Sequence, residues 1–217
     1  MKILENTILL HGGPRDPSAI PNATKLLIVN AVDSTIRQFF PKKHTAMCSA
    51  YAIIGANVAT IVLGREYRPV AGFAVIDCGE GQFLKFTDKE AFISDEKRGS
   101  YHCWIESCPP DVADKELVDI TFKHNKAYAK KRHIKWQKKA SSYLWGKYCD
   151  HVVEADLNFL PSEFPEDRLW LLETTEGSEW LVRRMSAQML EYAYLTSMVL
   201  KRLNSHPTFQ SSLRLCG

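Results

Sequence analysis

The hydrophobic and polar positions along the chain fall into stretches of different period. In "TKLLIVNAVDSTIRQFF", residues 24–40, Leu26, Leu27, Val29, Ile36, Phe39 and Phe40 recur near helical spacing, and Pro41 with the two following lysines supplies a stop. The pattern predicts a packing helix that starts at Pro21 or Asn22, preceded by a turn-rich surface loop in "HGGPRDPSAIPNATK", residues 11–25. From Ala46 to Gly64, "AMCSAYAIIGANVATIVLG" runs nineteen residues without a charge, the length of a membrane span. Ser49, Asn57, Thr60 and small alanines weaken its hydropathy, and no second span or aromatic belt accompanies it. The expectation is therefore a helix from about Cys48 to Gly64, buried on all sides within a soluble, non-membrane domain.

Alternation then takes over. "YRPVAGFAVIDCGEGQFLKF" predicts two strands joined at Gly79-Glu80-Gly81. A polar connection, "TDKEAFISDEKRG", leads to "GSYHCWIE", residues 99–106, in which His102, Trp104 and Glu106 stand at alternate positions and so share one face of a strand. An ordinary half-buried strand carries apolar residues there. After the break at Pro109-Pro110, "KELVDITF" predicts another strand, which makes about four in all. From Lys123 onward the pattern reads as helical. It ends in residues 180–204, where Leu181, Met185, Met189, Tyr192, Leu195, Val199 and Leu203 form one stripe expected to pack on the sheet, with a partner-helix groove as the lesser reading. No internal repeat, low-complexity tract or clean linker divides the chain, so 1–217 is expected to be one domain: a core over about 42–122, a helical N-terminal part, 16–41, and a helical C-terminal part, 123–217.

Composition narrows the class. With 45% hydrophobic and 24% charged residues the chain is neither disordered nor collagen-like, and a formal net charge of +3 is too small to imply a polyanionic partner. The cysteines, Cys48, Cys78, Cys103, Cys108, Cys149 and Cys216, are scattered over a chain too large to need disulfide staples. Glu5 and Asn6 interrupt the apolar run of "MKILENTILLHGG" before a secretory core forms, so reduced thiols and a cytoplasmic location are expected.

Three residues carry candidate chemistry. Cys48 falls at the start of the buried helix, where unpaired amides and the helix dipole favour a thiolate, the form of cysteine that acts as a nucleophile. A free cysteine is also ordinary packing. His102, on a strand 54 residues later, suits a base held by a fixed backbone, set against the bland reading of a histidine satisfied in the core. Asp119 lies between Val118 and Ile120, where an acid needs a partner: an imidazole to orient, or else the end of its own strand to cap with Thr121.

The order of the three, with "HCW" on one strand and "VDIT" on the next, resembles the transglutaminase-like and arylamine N-acetyltransferase-like branch of the papain-fold cysteine enzymes, and a small bacterial family within it. In that branch the cysteine opens the central helix, the histidine precedes an aromatic residue by two positions, and the aspartate sits in an Asp-x-Thr segment on the adjacent strand. The resemblance covers about residues 42–122 and implies an α+β, papain-like fold, with a central helix on an antiparallel sheet. It casts Cys48 as nucleophile, His102 as base and acid, and Asp119 as orienter, acting without a cofactor on a small-molecule or peptide substrate. The reaction implied is acyl transfer, to water or to another acceptor. The setting "TAMCSAY", with Tyr51 three positions beyond the cysteine, departs from the usual adjacent aromatic and leaves the oxyanion hole unassigned. The Cys48 amide is one candidate donor, and Asn57, His44 and Trp104 are candidates to line the cleft.

Two rival readings belong to other classes. His102, Cys103 and Cys108 are close in sequence, but a single loose Cys-x4-Cys pair lacks the second pair of a structural zinc site, so no metal is expected, and Cys103 should face away from His102 into the core. "KHNKAYAKKRHIKWQKKA", residues 123–140, interleaves eight lysines and arginines with Tyr128 and Trp136. That composition suits phosphate contact and base stacking, equally a solvated helix face, or a basic border to the active cleft. A non-catalytic relative binding nucleic acid or a protein through this segment is the alternative function. "GEGQF" lacks the lysine and spacing of a phosphate loop.

Overall fold

A computed structural model describes residues 20–93, 100–207 and 209. Most of the turn-rich opening loop, Gly99 and Cys216 lie outside the described residues. Within them the chain is mixed α+β, with seven helices on a curled antiparallel sheet of six strands.

The first helix, α1 (Asn22–Phe39), buries Ile28, Val29, Val32 and Ile36 on one face. It lies against α2 (Cys48–Leu63), eleven of whose sixteen residues are buried. No helix of the described residues is long and apolar enough to cross a membrane. Gly64, at φ 64°, ends α2 in the left-handed conformation that favours glycine.

Next comes the long strand β1 (Tyr67–Gly79), turned back into β2 (Gln82–Phe86) by Gly79, Glu80 and Gly81, all at positive φ. After the short α3 (Glu90–Ile93), β3 (His102–Ser107) and β4 (Glu116–Asp119) extend the sheet. Every residue of β3 and β4 is buried, so alternation appears there as two different buried faces.

Strand β1 organises the sheet. Gly72 is paired on both sides, with His102 of β3 and with Glu173 of β6 (Leu169–Glu173), and Ala74 is likewise paired with Phe86 of β2 and Leu171 of β6. With β6 along one edge of β1, β2 and β3 must lie end to end along the other. One face carries α1, α2 and α7 (Met189–Asn204) over a core that includes Ile54, Val75, Cys103, Ile105 and Val118. The opposite face gathers Val70, Ala74, Leu84, Trp104, Leu117 and Leu144.

The C-terminal part is not wholly helical. Besides α4 (Asn125–Lys131) and α5 (Tyr148–His151), it supplies β5 (Leu144–Lys147), which pairs with β4, and β6, which pairs with β1. Both strands are short, and their apolar runs carry no period long enough to separate strand from buried helix. The expected single stripe over 180–204 is also broken: α6 (Thr175–Ala187) ends at Gln188 and α7 begins anew. The break throws Met189 to the outside, 64% exposed, while Leu181, Tyr192, Leu195, Val199 and Leu203 stay in the core.

Candidate active site

Cys48 is the first residue of α2, after a single 3-10 turn at His44–Ala46, and is partly buried. Met47 at the N-cap supplies no side-chain hydrogen bond, so the first-turn amides of Cys48, Ser49 and Ala50 have no capping side chain. Gly55, two turns on, lets the helix settle onto the sheet: a Cβ there would stand 2.7 Å from Ile105 Cδ1 and 2.9 Å from Ile120 Cδ1. This close approach brings the N-terminus of α2 to the start of β3, where His102 and Cys103 point to opposite faces.

His102 Nε2 lies 2.9 Å from Asp119 Oδ2, with the residues only 3% and 1% exposed. Asp119 Oδ1 accepts from the Thr121 amide and from Thr121 Oγ1, both at 2.8 Å, so each carboxylate oxygen is engaged. Burial opposes the charge on Asp119, yet the His102 charge and hydrogen bond, with the Thr121 donors, outweigh it and hold the carboxyl below its ordinary range. Burial likewise opposes the imidazolium, but the Asp119 charge and hydrogen bond, helped by Cys48, push the ring above its ordinary value.

The end-to-end meeting of β2 and β3 places Phe86 against the imidazole, stacked at 5.7 Å, and Trp104 stacks on it at 6.3 Å. Trp104 Nε1 in turn donates to Glu106 Oε1 at 2.9 Å. The three alternate residues of "HCWIE" therefore do share one face, as a stacked and hydrogen-bonded file inside the protein.

Cys48 does not hydrogen-bond to His102 among the described residues. The neighbouring Cys103 thiol, opposed by burial and aided by the nearby His102 charge, lowers the Cys48 pKa to about 7. Burial, followed by the adjacent Cys48, raises the Cys103 thiol well above its ordinary value. The Tyr128 phenol is pushed up to about 12 by burial and by Cys48.

No protein-family model matches the chain, and no curated protein compared with it matches significantly. One solved structure shares its architecture. The crystal structure of a genomics target superposes with a TM-score of 0.52 over 85% of this chain and 79% of the other, at 14% identity. At that identity the likeness speaks to an α+β fold alone.

The remaining candidates fall elsewhere. Trp104 is 1% exposed and lines no cleft; it is a wall behind His102. Asn57 also fails as a cleft residue, since its amide donates to Thr196 Oγ1 of α7 at 3.4 Å and it stands nine residues along α2 from Cys48, about 13 Å by helical rise. His44, one turn ahead of Cys48, holds Nδ1 3.1 Å from Pro41 O and meets the His124 ring edge-on. Among the described residues no cluster of three or more His, Cys, Asp or Glu side chains is placed to hold a metal ion.

Sequence reasoning passed over Phe86 and undervalued Cys103. Nothing local marks Phe86, whose position depends on the abutment of two strands. Cys103 carried a signal: a residue facing away from His102, toward the helix that starts with Cys48, meets that helix.

Proposed function

We propose that the protein is a cysteine-nucleophile acyl-transfer enzyme of papain-like, transglutaminase-like architecture, acting in the cytoplasm on a small-molecule or peptide substrate, with hydrolysis the leading reaction. The observation that carries this reading is the buried His102–Asp119 pair set beside a helix-initiating cysteine whose thiol is lowered to about 7. A buried charge pair needs a compensating role, and an oriented imidazole next to a thiolate-prone cysteine supplies one.

Asp119 holds Nε2, so Nδ1 is the ring nitrogen left to exchange a proton with Cys48. Because His102 and Cys103 point to opposite faces of β3, that exchange requires the sulfur and the ring to be brought together at the start of the strand when substrate binds. The Cys48 thiolate attacks the substrate carbonyl carbon, forming a C–S bond. The resulting oxyanion is placed toward the amides of the first turn of α2, with that of Cys48 the leading donor. Collapse breaks the bond to the leaving group, which takes the proton from His102. Water, or an amine in a transferase, then gives a proton to His102, attacks the thioester and frees Cys48.

Iodoacetamide labelling across pH, on the wild type and on the Cys48→Ala and His102→Ala variants, tests the proposal. One dominant site at Cys48, reactive near neutral pH and slowed without His102, is the expected result. Slow, uniform labelling of several cysteines overturns it.

A further inference from the structure

The basic segment builds a concave site on the outer side of α4. Lys123, Lys126, Ala127 and Lys130 stand at i, i+3, i+4 and i+7, on one face of α4 and the turn before it. At Arg132 the helix ends, His133 adopts φ 59°, and Ile134, Lys135 and Trp136 return along the same face. Together these eight residues line an open cavity of about 590 Å³, within the roughly 300–1,000 Å³ range of small-ligand sites. Its backing is rigid: Ala129 is fully buried, Tyr128 packs edge-on against Phe86, and the Ile134 amide donates to Ala129 O at 2.9 Å. The indole of Trp136 is fixed by donation from Nε1 to Lys138 O at 2.7 Å.

No acidic side chain lines the cavity. Lys123 pairs with Asp33 at 2.8 Å, but Lys126, Lys130 and Lys135 form no ion pair among the described residues. Like charges at i, i+4 destabilise a helix, and a face built only for solubility would intersperse acids. Ala127, Ile134 and Trp136 give the cationic rim an apolar interior. Such a site fits a ligand with several negative charges and a flat ring.

We propose that this cavity binds an aromatic polyphosphate of mononucleotide size, its ring on Trp136 and its phosphates on Lys126, Lys130 and Lys135. None of Cys48, His102 and Asp119 lines the cavity, so the proposal stands or falls independently of the acyl-transfer reading. Titration calorimetry with ADP, inorganic pyrophosphate and an oligothymidylate, at low and physiological salt, tests it on the full chain.

The expected result is saturable, salt-sensitive ADP binding, weakened about tenfold by combined Lys126→Gln and Lys130→Gln. Trp136→Ala should weaken ADP while leaving pyrophosphate unchanged. The two lysines are exposed, so they carry the test even if Trp136→Ala does not fold. The proposal is overturned by no ADP binding, by binding indifferent to the lysine changes, or by pyrophosphate binding as tightly as ADP. Oligothymidylate binding without ADP binding also overturns it and makes the segment a nucleic-acid face.

Discussion

His102 and Asp119 meet in the interior, Nε2 to Oδ2 at 2.9 Å, on neighbouring strands 17 residues apart in sequence. Removing one member of such a pair leaves the other charge buried, so Asp119→Ala should cost about 3–5 kcal/mol in urea unfolding. The pH dependence has a defined sign. Asp119 is lowered in the folded state, so its contribution is present above the unfolded carboxyl value of about 4 and is lost as pH falls through the lowered folded value. His102 is raised, so its contribution is complete below about 6.5 and is lost as pH rises through the raised folded value. The stability gap between wild type and Asp119→Ala should therefore be widest between about pH 4 and 6.5. A gap independent of pH would show that the pair is not charged.

The Cys48 thiol owes its lowered value first to Cys103 and then, against burial, to His102. Cys103→Ala should therefore move the midpoint of Cys48 alkylation upward from about 7, by roughly one pH unit or more, and His102→Ala should move it in the same direction. Rate-against-pH profiles with a small alkylating agent measure both. An unchanged midpoint in Cys103→Ala would remove the Cys103 thiol as a cause.

The parts of the fold that were legible in the sequence are those with local chemistry. The nineteen-residue uncharged run, closed by a left-handed Gly64, and the Gly79-Glu80-Gly81 turn announce α2, β1 and β2 without any tertiary help. His102 and Asp119 were legible because polar residues among buried neighbours need partners. Strands β5 and β6, four and five residues long, were not, since partners supplied by β4 and β1 decide their state. The break at Gln188 has no glycine or proline to mark it. Phe86 against His102 is a product of sheet topology, which no short motif encodes.

His124 is 6% exposed, and neither of its ring nitrogens has a hydrogen-bond partner among the described residues. Tyr51 and His44 meet it edge-on. Burial, with Lys123 nearby, pushes its pKa down to about 4. The unfolded chain takes up this proton near pH 6.5 and the folded chain only near 4, so stability should fall by about 3 kcal/mol as pH drops through that window. His124→Phe keeps a ring between Tyr51 and His44 and removes the titration. Its unfolding free energy should match or exceed the wild type at pH 7, and its advantage should grow toward pH 4. Parallel curves for the two proteins would assign the acid sensitivity elsewhere.

Gly72 links the fold to the site, since it pairs with His102 on one side and Glu173 on the other. A Cβ there would lie 2.0 Å from Leu172 O, a backbone atom held by the β1–β6 ladder. Neither neighbour yields without losing hydrogen bonds, so Gly72→Ala should cost more than about 3 kcal/mol, in the range of severe overpacking and broken pairing. Gly64 makes a contrasting control: at φ 64°, with nothing within 4 Å of an added Cβ, Gly64→Ala meets strain but no clash and should cost about 1 kcal/mol. Any Gly72→Ala protein that folds must shift β6 or β3. If β3 moves, His102 leaves its register and the Cys48 alkylation midpoint rises toward that of an ordinary thiol; if β6 moves, the midpoint stays near 7 while stability alone falls. Measuring both quantities on one variant tells which edge of β1 is the firmer.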